Sequence, residues 1–184
     1  IKWEVANNNL LLTAAVFRTK KTNARTQDPD DPNDLLVLNG EQLVQGVELG
    51  LAGQITENWG VHAGYTFLNT EITKSLDSNE KGNELSNSPK NSFSLWNTYA
   101  LLESLQIGLG AQFVDDRYNN TANIRTAPKY WVYETSANYV LNDNISFQFN
   151  VHNLTNEKYI DYVGGGHFIP GMGRLAMLST NFSF

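Results

Sequence analysis

The sequence predicts an all-β fold, specifically a segment of an antiparallel transmembrane β-barrel, and three observations carry that prediction. Apolar and polar residues alternate with period two over most of the chain. The connections between these stretches alternate strictly between very short and long. The second face of each stretch is polar, where a water-soluble ligand-binding barrel would need an apolar interior.

A strand stub at 1–5 and a weaker strand at 10–18 open the chain. Val47, Leu49 and Leu51 then interleave with Gly46, Glu48 and Gly50. Trp59, Val61, Ala63, Tyr65 and Phe67 alternate with Gly60, His62, Gly64 and Thr66. A weaker strand occupies 92–102, and Leu105, Ile107, Leu109, Ala111 and Phe113 alternate with Gln106, Gly108, Gly110 and Gln112. After another weaker strand at 130–141, Ile145, Phe147, Phe149 and Val151 interleave with Ser146, Gln148, Asn150 and His152. A last strand covers 175–184, which makes eight strands and a partial ninth, each with one apolar and one polar face.

The short connections are 6–9, 57–58, 103–104 and 142–144, and between them lie long segments at about 20–42, 74–90, 115–129 and 160–173. A soluble sandwich has no reason to sort its loops by length. An outer-membrane barrel does, because its periplasmic turns are short and its extracellular loops long. Hydrocarbon offers no hydrogen-bond partners, so a spanning sheet must close and turn its apolar side chains outward. Trp3, Trp59, Tyr99, Trp131, Tyr139, Phe182 and Phe184, near strand ends, fit interfacial aromatic girdles.

Composition excludes several alternatives. The chain has 184 residues, 41% of them hydrophobic, enough for one sizeable domain. Its longest uncharged apolar runs fall far short of the roughly 18 residues of a membrane-spanning helix. There is no cysteine, hence no disulfide frame and no thiolate metal site. A formal charge of -6 offers no basic footprint for nucleic acid. The chain begins at Ile1 without an initiator Met or a signal sequence, as expected of a fragment.

At the C-terminus the motifs become specific. Asn153, Leu154, Thr155, Asn156, Glu157, Lys158 and Tyr159, then Pro170, Gly171, Gly173 and Arg174, then the terminal Phe184, resemble the end of TonB-dependent outer-membrane receptors. Residues 10–26, 82–99 and 167–174 are similar to the siderophore branch, above all its catecholate receptors. The resemblance implies that residues 1–184 are the last eight to nine strands of a barrel of about 22, lacking the N-terminal plug domain and the segment that contacts TonB. It implies uptake of ferric siderophore as transported ligand, no directly bound cofactor, a Gram-negative outer-membrane location, and Phe182 and Phe184 as a signal for the barrel-assembly machinery. Such a fragment is expected to form an open curved sheet or a forced small barrel. The other reading is a self-contained small outer-membrane barrel, a surface anchor or adhesin. The length of chain before Ile1 separates the two.

Ferric catecholates are anionic and aromatic, so Arg117, Tyr118, Arg125, His167 and Phe168, with Tyr130 and Tyr162, are the candidate ligand contacts, His167 and Arg125 foremost. Asn153, Asn156, Tyr159, Pro170, Gly171 and Arg174 are expected to be structural, with Asn side chains satisfying backbone groups and Arg174 pairing with a neighbouring acid. The acidic run 28–34 fails the calcium-loop pattern, because Pro32 and Asn33 stand at its fifth and sixth positions. The glycines at 164–166 read as loop hinges. His62, His152 and His167 are scattered, with no metal spacing, and no nucleophile motif points to catalysis.

Overall fold

The computed structural model describes residues 1–6, 9–27 and 36–184. The strands are β1 (Lys2–Val5), β2 (Leu10–Gln27), β3 (Leu36–Thr56), β4 (Trp59–Lys74), β5 (Asn91–Leu102) and β6 (Leu105–Val114). They continue with β7 (Arg117–Tyr118), β8 (Thr126–Ala127), β9 (Tyr130–Asn142), β10 (Ile145–His152), β11 (Ile160–Gly164), β12 (His167–Pro170) and β13 (Leu175–Phe182). Nine of them form one antiparallel meander in the order β1-β2-β3-β4-β5-β6-β9-β10-β13, and β7–β8 and β11–β12 are separate hairpins. The main sheet is open, with β1 and β13 as its edges.

The register sorts the side chains as the alternation requires. Cross-strand partners share a face, and Leu105↔Tyr139, Ile107↔Ala137 and Phe113↔Trp131 continue through Phe147↔Tyr139 to Phe149↔Leu178 as one apolar, outward face. The opposite face carries Gln106↔Asn138 and Gly108↔Ser136 beside Gln148↔Ser179. Large apolar residues on the outward face stay exposed, Leu109 at 54%, Phe149 at 42% and Leu178 at 69%. Among the described residues no second layer covers them, the pattern of a sheet whose apolar face was not written for water. The buried cluster of Val114, Tyr130 and Val132, with Tyr159 against it, sits instead beneath the loops.

The apolar band has a sharp upper limit. Val16, Val47 and Phe67 pair in one row across β2, β3 and β4, and the next outward row is Arg18, Gln45 and Asn69. On β4 the band runs from Trp59 to Phe67, the nine residues or so that a tilted strand needs to cross hydrocarbon. Aromatic polar ends find partners at both limits: Trp59 Nε1 donates to Asn97 Oδ1 at 3.2 Å and Tyr65 Oη to Asn91 Oδ1 at 2.7 Å.

One expectation is corrected. The connection at 20–42 is mostly ladder: β2 continues to Gln27 and β3 begins at Leu36, so paired strands project about 30 Å beyond Arg18, at some 3.3 Å per residue. Outside hydrocarbon the outward face no longer needs apolar residues, so pairing continues where the alternation fades. Trp96 faces the lumen opposite His62 and Gly110. A Cβ at Gly108 or Gly110 would lie 2.6 Å from its indole, so these two glycines make room for the ring. The acidic run 28–34 lies outside the described residues.

Candidate functional site

The connections that follow β4, β6 and β10 leave the sheet at one end and are tied to one another by side chains that the sequence shows only as polar loop residues. Asn123 Nδ2 donates to the Glu84 carbonyl at 3.0 Å, and its Oδ1 accepts from the Glu84 N–H at 2.8 Å. Asn83 Nδ2 donates to the Thr121 carbonyl at 2.8 Å. The Glu80 carboxylate accepts from Ser75 Oγ at 2.7 Å and, by a short hydrogen bond, from Thr121 Oγ1. Asn87 links a third segment: its N–H donates to the Tyr118 carbonyl at 2.8 Å, and its Oδ1 accepts from the Val163 N–H at 3.4 Å. Lys90 pairs with Glu84 at 2.6 Å, and this carboxylate holds the ammonium above its ordinary value.

Asn153 is the largest fully buried side chain among the described residues, 1% exposed, in the left-handed region at φ 49. It donates to the carbonyls of Glu157 at 2.9 Å and Met172 at 2.8 Å and accepts from the Glu157 N–H at 2.8 Å. Asn156, at φ 56, accepts from the Arg174 N–H at 3.0 Å. These two amides close the segment that follows β10 onto the segment that precedes β13, a geometry Asn tolerates better than any β-branched residue. Arg174 departs from expectation. Among the described residues its guanidinium donates to the Leu154 carbonyl at 3.5 Å, with no acid as partner. Pro170 ends β12, and its neighbour Gly171 donates to the Tyr159 carbonyl at 2.8 Å.

Arg117 is 4% exposed, so its charge is not available on the surface. Its guanidinium donates to the carbonyls of Ile160 and Asp161, at 2.5 and 2.8 Å, and lies 5.4 Å from the centroid of the Tyr130 ring. Tyr130 is itself buried and meets Tyr159 at 4.3 Å between ring centroids. Arg117 therefore clamps the β7–β8 hairpin to the start of β11. The remaining candidates lie on these two joined hairpins: Tyr118 half-buried on β7, Arg125 exposed just before β8, His167 and Phe168 exposed on β12, and Tyr162 exposed on β11. The β11–β12 turn is made by Gly165 and Gly166, both at positive φ, which is the two-residue hairpin turn that glycine permits.

Burial, reinforced by the Asp161 charge, raises the Tyr159 phenol above its ordinary value, against the lowering effect of a hydrogen bond with the Met172 backbone. In the lumen, His152 Nδ1 lies 3.0 Å from Glu134 Oε1. Register carries that row through Gly110 and Trp96 to His62. Among the described residues no three His, Cys, Asp or Glu side chains gather as a metal site.

The chain is similar to known proteins along its whole length. The model of the family described as TonB dependent receptor-like, beta-barrel matches residues 1–154. The probable TonB-dependent siderophore receptor PiuA of Acinetobacter baumannii is 38% identical over 100% of this chain and 26% of its own. The catecholate siderophore receptor Fiu of Escherichia coli K12 is 32% identical over 100% and 25%. The crystal structure of PiuA superposes with a TM-score of 0.91 at 39% identity, covering 98% of this chain and 27% of that one. The closed form of Fiu gives 0.85 at 31% identity, over 100% and 26%. The chain thus spans about a quarter of the length of these relatives. With its nine-stranded meander, outward apolar band and loops gathered at one end, the chain belongs to the TonB-dependent receptor-like β-barrel family.

Proposed function

We propose that the full-length protein is an outer-membrane receptor for TonB-dependent uptake of a ferric siderophore of the catecholate type. The observation that carries this reading is identity over the whole of this chain to two siderophore receptors, at 38% and 32%. That likeness, to proteins about four times its length, favours a receptor over a self-contained anchor or adhesin. The outward face meets outer-membrane lipid, and Phe182 and Phe184, exposed at the end of the chain, present the strand end to the barrel-assembly machinery. The TonB complex engages a region outside residues 1–184. The ferric siderophore is cargo, the protein holds no cofactor, and no catalytic step is involved.

Ligand contact falls to the exposed rim: Arg125 and His167 supply positive and hydrogen-bonding groups, while Tyr118 and Phe168 supply ring faces. This set suits an anionic aromatic complex. Arg117 serves the rim by joining its two hairpins. The test is growth of a strain deleted for the full-length gene on a ferric catecholate, a ferric hydroxamate or ferric citrate as sole iron source. A defect confined to the catecholate supports the reading. Equal growth on all three, with no binding of the ferric catecholate by the purified receptor, overturns it.

A further inference from the structure

The turn that joins β7 to β8, residues 119–125, ends in Arg125, and one side chain, Asn123, sets how it folds. The Asn119 N–H donates to the Arg125 carbonyl at 3.0 Å and the Asn123 N–H to the Asn120 carbonyl at 3.2 Å. Asn123 stands in the left-handed region at φ 55, which Asn adopts more readily than most residues. Its side-chain amide is engaged three times. Nδ2 donates to the carbonyls of Glu84 and Asn120, both at 3.0 Å, and Oδ1 accepts from the Glu84 N–H at 2.8 Å. One amide thus meets both backbone groups of a residue 39 positions earlier, as a neighbouring strand would in a ladder.

The acids that the β4–β5 connection brings to this turn are already engaged. Glu80 accepts from Ser75 and Thr121, and Glu84 pairs with Lys90 at 2.6 Å. Arg125 has no side-chain hydrogen bond or ion pair among the described residues. Beside it Ile124 is 76% exposed, an apolar side chain held in water. A free guanidinium next to an exposed apolar side chain suits an anionic complex with ring faces. A loose turn would scatter that guanidinium over many positions, and ordering it on binding would weaken affinity.

We infer that Asn123 is a positioning residue for ligand capture. By pairing with the Glu84 backbone it fixes the 119–125 turn against the β4–β5 connection, and so holds Arg125 ready for an anionic iron complex of the catecholate type. Asn123 acts through Arg125 and not on the ligand, so the loss it causes is bounded by the loss of Arg125 itself. The inference rests on the uptake reading above.

The test is a double-mutant cycle on the detergent-purified full-length receptor, titrated with iron(III) tris-catecholate formed in excess catechol and read by quenching of tryptophan fluorescence. Asn123→Gly removes the amide and leaves the backbone free to hold a positive φ, so the barrel is expected to fold, as heat-modifiable electrophoretic mobility checks. The variant should weaken binding about fivefold where Arg125 is present, and less than about twofold in an Arg125→Gln background. A purely structural role would cost the same in both. Equal losses in the two backgrounds, or no loss from Asn123→Gly, overturns the proposal, and so does an Arg125→Gln receptor that binds as tightly as the unaltered one. In each of these cases the unaltered receptor still binds the probe and the uptake reading stands. If the unaltered receptor does not bind it, both readings fall.

Discussion

The ring of Tyr159 lies across Gly171, occupying the space in which any larger residue would place its Cβ, while the Tyr159 carbonyl accepts the Gly171 N–H at 2.8 Å. A glycine in a Pro-Gly turn is usually explained by its backbone freedom. Here the need is for room, because the ring must seat on Tyr130 beneath the last loop.

Gly171→Ala is therefore expected to destabilise the barrel by about 1–3 kcal/mol, the range for an overpacked interior. Urea unfolding of the full-length receptor in detergent measures it. In a Tyr159→Ala background the same substitution should cost little, since the obstructing ring is gone. An undiminished cost there would show that backbone conformation, not the ring, demands glycine.

Asn153→Ala removes one acceptor and both donors of a buried amide and leaves the carbonyls of Glu157 and Met172 without partners. A loss of about 2–4 kcal/mol is expected. Asn153→Asp keeps the acceptor but cannot donate, and it buries a charge. It should be at least as damaging, and a milder effect on unfolding would count against the donor role.

Arg117→Ala should release the β7–β8 and β11–β12 hairpins together, because one guanidinium holds both. Faster amide exchange is expected across 117–127 and 160–170 in the same variant. Arg125→Gln and His167→Gln, both exposed, should leave exchange unchanged and weaken binding of a ferric catecholate about tenfold each, roughly one charge-assisted contact. Loosening of only one hairpin in Arg117→Ala would contradict the clamp.

Tyr159 sets a pH dependence. Its folded phenol ionises above its ordinary value of about 10 because burial disfavours the phenolate. The unfolded chain therefore loses this proton first. The associated stability is complete below pH about 10 and is lost as pH climbs through the folded value. Unfolding midpoints at pH 9 and 11 should differ less in Tyr159→Phe than in the unaltered receptor. An identical difference would exclude Tyr159 as its source.

By itself the sequence determined the nine strands of the main sheet, the outward and inward faces and the alternation of short and long connections, but not the hairpins β7–β8 and β11–β12 within two of those connections. Each of these follows from a period of two read against hydrocarbon on one side, as in Ile145 to Val151 beside Leu178 and Thr180. Asn153 and Asn156 read in the sequence only as short amides at a strand end; their hydrogen bonds to Glu157, Met172 and Arg174 come with the tertiary structure. Only tertiary structure decided the rest. Trp96 breaks the alternation, and its inward place depends on Gly108 and Gly110 of the next strand. Burial of Arg117 depends on carbonyls 43 and 44 residues away, and the Asn87 link to Val163 spans 76. Local pattern reports which face of a strand meets lipid. It carries no record of which distant loop will cover a charge, because that cost is settled only when the loops pack.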